Sequence, residues 1–542
     1  MISAPELPPG YYLDDFETVL RDVAGRYGDL LHPGERERLA AFAQLPLGAR
    51  RIYVRMLTRQ GPWFRPEQFH YPEIEDLPGA LAALAAAGFC SAEAPLEALV
   101  ALLRKDELVA CLRQGGVPCR PAQPREQLAA LVLQAGLRPD LAAVAPLGQA
   151  WVRLIFFLFF GNGEQDLTDF VLAGLGRIQY EAYPVDPGER LFQARADVDF
   201  LLTLRELREA FEQAADAPAL DALTALLLAM DPHPGVRQQR RFHRLLNEVG
   251  RAWERQARPD RALACYALSE RPPARERTVR LLAAGGDLDA AREAALAMAA
   301  APLEVAEERF ARMYLRRAAR RDPLAAQWLL AHPDPEPVPE VRLALPRHPS
   351  GSVEQAALEA ARREGWDGLF TENALWRGLF GLAFWDVLFA PVPGAFQHRL
   401  QAAPADLGSP AFFARRKEAF ERRFLELEAG PGAAILATAQ AKRGLANVFV
   451  SWRHLPQELL ATALEALPPA AVLSVLRAMA PNPLAFDNGF PDLFLFRAQA
   501  PRVLLWEVKG PGDALRPEQE RWLTHFNRAG VQAAIAWVKY LD

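Results

Sequence analysis

The sequence contains little cysteine, little lysine and no long apolar segment. None of its four cysteines stands in a CxxC pair: Cys90, Cys111, Cys119 and Cys265. This spacing argues against a disulfide framework or a zinc site and favours a reducing cytoplasm. The longest apolar run, WVRLIFFLFF at 151–160, contains an arginine and is too short to span a bilayer. The opening residues, MISAPELPPG, lack a basic start and an apolar stretch, so no signal peptide is expected.

Positive charge is local in this sequence. The net charge is −5, so the surface as a whole does not favour a polyanion. Arginine supplies all but five of the 62 basic residues, and together with abundant alanine, leucine and proline this is typical of a GC-rich bacterial genome. Hydrophobic residues make up 51% and charged residues 24%, which predicts a soluble protein with a sizeable core.

Helical periodicity dominates the chain as far as about residue 480. Amphipathic segments separated by Gly or Pro predict a helical domain at 1–90, a helix-loop-helix module at 91–138 and an array of helical hairpins at 139–345. The Pro-rich, acidic stretch HPDPEPVPEV at 332–341 is the predicted linker. Strand patterns around the helix PEQERWLTHFNRA then predict an α/β domain at 346–542, with helices preceding it. The predicted fold class is therefore multidomain and mostly α, with a C-terminal α/β domain.

The stretch PDLFLFRAQAPRVLLWEVKG at 491–510 combines strand patterns with charges that strands rarely carry. If LFLF and RVLLWEVK pair as a hairpin, Asp492 lies near Glu507, and the period of two places Glu507 and Lys509 on one face. Two carboxylates brought together repel unless a cation lies between them, and hard oxygen ligands suit Mg²⁺ or Mn²⁺. The alternative interpretation is that these are edge-strand charges, which discourage aggregation.

Longer motifs around this stretch match a known family. The segments GFPDLFLF, EVKGPGDALRPEQERWL and AGVQAAIAWV resemble the VRR-NUC domain, a branch of the PD-(D/E)XK nucleases. The segments YYLDDFETVL, RRIYVRMLTRQGPWF, GLGRIQYEAY, TENALWRGLFGLAFWDVLF and FFARR extend the match over nearly the whole chain. On these motifs the chain resembles the Fanconi-associated nucleases, which are structure-selective DNA repair enzymes. The resemblance implies a SAP-like module at 91–138 and a TPR-like array at 139–345.

The resemblance also implies a catalytic site that uses Mg²⁺ or Mn²⁺. The family's metal ligands fall on Glu372, Asp492, Glu507 and the backbone carbonyl of Val508. The implied catalytic residues are Asp492, Glu507, Lys509 and Gln519. Apart from the family, Glu372 is interpretable as an acid that stabilises the positive end of a helix. Asp386, inside the apolar segment FWDVLF, matches as well and is expected to be a structural acid with a buried partner.

Two sets of basic residues are predicted to bind DNA phosphates. The first set adjoins the catalytic part, with its first five members expected on one helix: Arg415, Arg416, Lys417, Arg422, Arg423, Lys442 and Arg443. The second set belongs to the SAP-like module: Arg104, Lys105, Arg113, Arg120 and Arg125. Twelve arginines and five acids between residues 237 and 280 form a further candidate surface. For each set the alternative is a solvated helix face.

The sequence thus predicts a bacterial, divalent-metal-dependent enzyme that hydrolyses phosphodiesters in branched DNA near 5′ flap junctions. As an endonuclease and 5′-3′ exonuclease it would act in interstrand crosslink repair, on flap, nicked or crosslinked DNA. It is expected in the cytoplasm at the nucleoid, without a membrane partner and as a monomer. The alternatives are a four-way-junction resolvase and a non-catalytic helical-repeat scaffold. The intact Glu372, Asp492, Glu507 and Lys509 argue against the scaffold.

Overall fold

The computed structural model describes residues 10–541, except for 60, 163–164, 176, 186–187, 215, 231–235, 334–335, 347–351, 410 and 501. At 236–238 and 305 it describes the backbone alone. Part of the predicted linker, at 334–335, and the side chain of Arg237 therefore lie outside the described residues. The chain forms two compact units, one from residues up to 179 together with 187–195, the other from 180–186 together with 196 onward.

The first unit is built from short helices and one small antiparallel ribbon. Its elements are α1 (Tyr11–Tyr27), α2 (Pro33–Gln44), α3 (Leu47–Leu57), a 3₁₀ turn (Pro66–Gln68), α4 (Leu77–Ala86), β1 (Cys90–Ser91), α5 (Leu96–Leu102), α6 (Lys105–Gln114), α7 (Arg125–Gln134), β2 (Ala145–Pro146), α8 (Gln149–Phe160) and α9 (Leu167–Gly174). The apolar run at 151–160 is α8, and most of its side chains are buried. This helix therefore serves as a core segment of the unit.

The predicted helix-loop-helix is confirmed by α6 and α7. Helix α6 ends before Gly115 and α7 starts directly after Pro124, whose missing N–H is tolerated where a helix begins. The two helices bury Leu108 and Leu128 in a small core of their own, to which α5 also contributes. This core fixes the module's shape and leaves four of its five predicted DNA-binding residues exposed.

The second unit contains a helical array that starts at about residue 195. The sequence placed the start of the array at 139, but α8 and α9 belong to the first unit. The helices of the array are α10 (Arg195–Gln213), α11 (Ala217–Leu228), α12 (Val236–Arg255), α13 (Pro259–Ala267), α14 (Ala274–Ala284), α15 (Leu288–Ala300), α16 (Val305–Ala318) and α17 (Pro323–Ala331). From α11 to α17 each helix packs against the next. Aspartates at 216, 287 and 322 accept hydrogen bonds from the first backbone N–H groups of α11, α15 and α17, which explains where these helices begin.

A five-stranded mixed sheet follows in the same unit. Its strands are β3 (Glu340–Leu345), β4 (Asp367–Phe370), β5 (Leu493–Phe496), β6 (Val503–Lys509) and β7 (Gln532–Tyr540), in the order β3-β7-β6-β5-β4. Strands β3, β7 and β6 are parallel, whereas β5 is antiparallel to both β6 and β4. The predicted hairpin of LFLF and RVLLWEVK is confirmed as β5 and β6. The carboxyl ends of β3, β4, β6 and β7 and the amino end of β5 therefore meet at one edge of the sheet.

Helices cover both faces of this sheet. They are α18 (Val353–Arg363), α19 (Glu372–Ala383), α20 (Trp385–Leu388), α21 (Ala411–Ala414), α22 (Lys417–Glu428), α23 (Pro431–Ala441), α24 (Gln457–Ala466), α25 (Pro469–Met479), a 3₁₀ turn (Pro483–Ala485) and α26 (Pro517–Arg528). Helix α18 packs on one face, and α19 to α26 share the larger core on the other. The predicted, mostly helical fold with a C-terminal α/β part is thereby confirmed.

No single helix of the described residues is long and apolar enough to cross a membrane. Helices α24 and α25, bent by 111° relative to each other, pass that test together on length and composition. Both helices contribute buried side chains, such as Leu460 and Val475, to the larger core.

Candidate active site

The strand ends at one edge of the sheet bring the predicted catalytic residues together. Asp492 directly precedes β5, and Glu507 and Lys509 are the last residues of β6 that share a face. Leu493 pairs with Trp506, so the hairpin register places Asp492 beside the end of β6. The sequence prediction that these three side chains converge is confirmed, because Lys509 Nζ donates to Glu507 at 2.8 Å and the charge of Asp492 raises the pKa of Glu507.

Asp492 is held through both its side chain and its backbone. Its Oδ2 accepts a hydrogen bond from the Val508 N–H at 2.9 Å, and its carbonyl oxygen accepts from the Thr371 N–H at 3.0 Å. Burial raises the pKa of Asp492 to about 6, and the charges of Glu354 and Glu372 act in the same direction. A half-buried carboxylate with acids around it is a position that favours a bound cation.

Glu507 is buried more deeply, with 1% of its surface exposed. Its Oε1 accepts hydrogen bonds from Lys509 Nζ at 2.8 Å and from Gln519 Nε2. Its Oε2 is buried and has no hydrogen-bond partner among the described residues. Burial and repulsion from Asp492 raise the pKa of Glu507 to about 8, although the hydrogen bond from Lys509 lowers it. An unpaired buried carboxylate oxygen is costly without a cation or another donor.

Gln519 links the catalytic sheet edge to the start of α26. Its Oε1 accepts from the Arg516 N–H at 2.9 Å, satisfying a backbone donor at the helix start, while its Nε2 donates to Glu507. Gly489, in the loop before Asp492, allows α26 to approach this closely. A Cβ at Gly489, which has φ +81°, would lie 2.7 Å from the Glu518 backbone. Gln519 therefore positions Glu507 through the helix.

Glu372 begins α19 beside this pair in a strained backbone conformation. It is exposed, and its φ of +38° lies in the left-handed region, which residues other than glycine rarely occupy. Its N–H lies 3.4 Å from the Asp492 carbonyl oxygen, so the strained residue is tied to the catalytic loop. The position of Glu372 at the start of α19 fits the interpretation that it stabilises the positive end of the helix. Its negative charge also raises the pKa of Asp492, which fits the interpretation that the two acids share a metal ion.

The donor set at this edge fits a hard divalent cation. No three His, Cys, Asp or Glu side chains of the described residues are arranged closely enough to hold an ion as they stand. The unpaired Oε2 of Glu507 and the raised pKa values of Asp492 and Glu507 nevertheless mark a place where a cation would relieve burial and repulsion. Carboxylate oxygens are the ligands that Mg²⁺ and Mn²⁺ prefer.

The structure adds one acid to the neighbourhood and corrects the expectation for another. Glu354, in the first turn of α18, raises the pKa of Asp492, and sequence reasoning missed it because an acid in a first helical turn is common. Asp386 was predicted to have a buried partner, but it is exposed at the start of α20. That prediction was wrong, because the buried side of this short helix is formed by its apolar neighbours.

The first basic set does not lie on one helix. Arg415 and Arg416 precede α22, and the Arg416 side chain is fully buried, with Nη1 and Nη2 donating to the two Asp406 carboxylate oxygens at 2.8 and 3.0 Å. Arg415 also pairs with Asp406. The structure thus contradicts a surface role for Arg416, because a buried, paired guanidinium cannot reach a phosphate.

Two more members of this set are bound within the fold. Arg423 Nε donates to the Ala383 carbonyl oxygen at 2.8 Å, and Lys442 Nζ donates to Glu181 at 2.6 Å. The remaining members are exposed: Lys417, Arg422 and Arg443.

In the SAP-like module four of the five predicted residues are exposed: Arg104, Lys105, Arg113 and Arg120. Arg125 is half-buried, and its Nη2 donates to the carbonyl oxygens of Ala101 and Leu103 at 2.7 and 3.1 Å. Arg125 therefore satisfies the end of α5, a role that its position at the start of α7 did not indicate.

The arginine-rich region 237–280 forms a basic cavity of about 580 Å³ in the helical array. Its charged lining comes mostly from α12: Arg240, Arg244, Glu248, Arg251, Arg255 and Arg271. Burial, with repulsion from the positive charges of Arg271 and Arg244, lowers the pKa of Arg240. Glu248, the one acid of this lining, pairs with Arg208 at 3.0 Å. The excess of arginine pointed to this surface, but the cavity itself depends on tertiary packing.

Comparisons with known proteins agree with this fold. Models of the "FAN1, HTH domain" and of the "VRR-NUC domain" match residues 10–91 and 428–540. The chain is 35% identical to a Fanconi-associated nuclease 1 homolog of Pseudomonas aeruginosa, over 99% of this chain and 98% of that protein. It is 26% identical to the Arabidopsis thaliana homolog, over 97% of this chain and 67% of the relative.

A solved structure matches over the whole chain as well. The crystal structure of paFAN1 bound to a two-nucleotide 5′ flap DNA with a gap superposes with a TM-score of 0.88 at 33% identity. The match covers 99% of this chain and all of that one. A second complex of paFAN1, with a one-nucleotide 5′ flap, gives a TM-score of 0.86.

Proposed function

Because this chain belongs to the Fanconi-associated nuclease family, and is thus a nuclease that hydrolyses phosphodiesters, we propose that it cuts branched DNA near 5′ flap junctions. The solved relative's complexes with 5′ flap DNA support this substrate class. The observation that carries the proposal is the pair of Asp492 and Glu507 at one sheet edge, with Glu507 Oε2 unpaired. We place the activity in DNA repair, including crosslinked DNA, and propose a monomer acting at the bacterial nucleoid.

The nuclease activity of this family depends on a divalent metal ion. We propose that this ion is Mg²⁺ or Mn²⁺. Glu372, Asp492, Glu507 and the Val508 carbonyl would hold it. When bound, such an ion supplies Lewis acidity toward a phosphate and lowers the pKa of a water molecule. Lys509, held by Glu507 at 2.8 Å, presents its ammonium group to the developing charge on the phosphate. Gln519 fixes Glu507, so we assign it a positioning role.

We assign DNA binding to the arginines and lysines that remain accessible in the fold. The exposed residues Lys417, Arg422 and Arg443 and the basic cavity lie in the second unit. Arg104, Lys105, Arg113 and Arg120 extend the grip to the first unit. Phosphate contacts of this kind position a duplex without reading its sequence. We also propose the domain division at 90, 138 and 345.

The second candidate function is that of a four-way-junction resolvase. It uses the same catalytic residues but requires two active sites acting together. The long helical array argues against it, because this array offers a single chain a basic surface on which to hold a branched substrate.

One gel assay tests these assignments. Purified protein is incubated with Mg²⁺ or Mn²⁺ and end-labelled flap, four-way and duplex DNA of one sequence. Cutting of the flap ahead of the others is expected, and EDTA should stop it. Equal cutting of duplex and flap would contradict structure selectivity, and symmetric paired cuts in the four-way DNA would favour the resolvase.

A further inference from the structure

A row of side chains crosses the sheet beside the catalytic pair. Lys509 on β6 pairs with Trp537 on β7, and Trp537 pairs with Arg342 on β3. Cross-strand partners point to the same face, and neighbouring strands lie about 4.8 Å apart. The row therefore runs from Lys509 on β6, across β7, to the outermost strand β3.

A groove of about 520 Å³ opens along this row. The side chains of its open face are Glu340, Arg342, Ala344, Trp537 and Lys539. Arg342 and Lys539 are exposed, and Trp537 is half-buried. Helix α26 covers the same face nearer the start of β7, where Ala533 and Ile535 join the larger core. Among the residues that the structure describes, none covers the carboxyl ends of β3 and β7 on this face, at the edge of the sheet that carries the predicted catalytic residues.

Protection of the sheet edge does not explain this groove. Edge strands often carry charges that prevent pairing with other chains, and this accounts for Arg342 on β3. Trp537 and Lys539, however, lie on β7, which is paired on both sides. An aromatic ring between two cations is the combination that binds single-stranded nucleic acid, because bases stack on the ring and phosphates pair with the cations.

We propose that this groove binds an unpaired DNA strand beside the catalytic centre, with Trp537 stacking on a base and Arg342 and Lys539 contacting phosphates. The proposal rests on the nuclease function proposed above. Two features identify the occupant as DNA: the positive charge of the groove and its continuity with Lys509. Glu340, whose carboxylate is 4.0 Å from the Arg342 guanidinium, restricts the phosphate contacts to the end nearer the catalytic residues.

The direct test is a base-stacking measurement without cleavage. In an Asp492→Asn background, 2-aminopurine is placed at successive positions of the flap, and its fluorescence is followed on binding. We expect quenching at one or two flap positions with Trp537, retention of the signal with Trp537→Phe and its loss with Trp537→Leu. Quenching that is unaffected by Trp537→Leu would overturn the proposal that the groove binds the unpaired strand. Trp537→Phe also shows whether the position tolerates change, because it keeps an aromatic ring.

Arg342→Glu supplies a second test on an exposed residue, where folding is not at risk. The dissociation constant for a long flap should rise about tenfold, while that for a nicked duplex changes little. The matched control is Arg502→Glu, because Arg502 is exposed at the opposite end of β6. Equal effects of the two variants, or of one variant on both substrates, would overturn the proposal.

The two proposals fail in different ways. If the wild-type protein cut no flap but showed quenching that depends on Trp537, the proposed function would fail and the groove would stand. Normal flap cutting together with fluorescence that does not depend on Trp537 would overturn only the proposal that the groove binds DNA.

Discussion

Two arginine-rich regions of the second unit have similar charge and opposite geometry. Around α22, Arg415 and Arg416 share Asp406, and Arg423 donates to a backbone carbonyl. Around α12, five arginines line an open cavity whose single acid is paired with Arg208. The first region uses its guanidinium groups to hold loops in place, whereas the second places its arginines around an open cavity.

This difference shows why proximity to a catalytic motif is a poor guide to DNA contact. A guanidinium group forms the same bidentate pair with a carboxylate as with a phosphate, so an acid that packs nearby converts a ligand site into a structural one. In the first region Asp406 takes that position beside Arg416. In the second region Arg251 pairs with Glu254 at 3.3 Å, whereas burial, with repulsion from Arg271 and Arg244, lowers the pKa of Arg240.

The largest effect is expected from a change at the active site, which serves as the reference for variants in the two arginine-rich regions. Asp492→Asn should lower the cleavage rate by at least about 10³-fold, because it removes charge from the site at which a cation and a phosphate meet. Flap binding in EDTA should remain within twofold, since neither arginine region contacts that carboxylate. The measurement is single-turnover cleavage alongside binding by fluorescence anisotropy. Asp386→Asn, an exposed acid on α20, is the control, and wild-type cleavage by Asp492→Asn would contradict the site.

Arg416→Ala should affect stability and leave DNA binding to the other residues. Removing Arg416 should lower the free energy of unfolding by about 1–3 kcal/mol, because the half-buried Asp406 carboxylate loses the two hydrogen bonds from Arg416 and keeps only Arg415 as a partner. Chemical denaturation measures this loss. The double variant Arg416→Met with Asp406→Leu should recover most of it. A stable Arg416→Ala protein with weakened DNA binding would reverse the assignment of this region.

The basic cavity should show the opposite behaviour. Arg244→Ala with Arg251→Ala should weaken flap binding about tenfold at physiological salt and reduce the slope of log K against log salt by about two units. Stability should change by less than about 0.5 kcal/mol, because both residues are exposed. Arg258→Ala is the control, since Arg258 lies in the same region but pairs with Asp260 outside the cavity. An unchanged salt slope would remove the cavity from the DNA interface.

The smallest effect is expected at Arg422, an exposed arginine of the first region. Arg422→Ala should lower the salt slope by about one unit or less and change affinity about twofold, because one surface contact is lost. Binding isotherms at several salt concentrations resolve this change. Glu421→Ala, its exposed neighbour on α22, controls for local changes in charge. A larger effect at Arg422 than at the cavity would make the first region the dominant grip.

Much of the architecture could be read from the sequence. The hairpin of β5 and β6, helix α26 and the final strand follow from alternation and from turn residues, all of which are local signals. The convergence of Asp492, Glu507 and Lys509 followed from the same pairing, because an antiparallel hairpin fixes which residues lie side by side. Helix start signals also placed α6 and α7 correctly.

Other features depended on contacts between distant parts of the chain. Asp406 and Arg416 are ten positions apart, and only packing brings them together as a buried pair. The bridging position of Gln519 requires α26 to approach the loop at Gly489 closely enough for one amide to join Arg516 and Glu507. The exposure of Asp386 likewise followed from how its short helix packs.

By itself, the sequence determined the elements and the chemistry of the strand ends, because hydrophobic period, turn residues and side-chain type act over a few neighbouring residues. Tertiary structure alone decided which charges remain available. Whether an arginine meets Asp406, a carbonyl oxygen or another arginine depends on the helix or loop that packs against it. Burial then sets the energetic consequence, because a charge removed from water must be paired, as at Arg416, or hold a shifted pKa, as at Glu507.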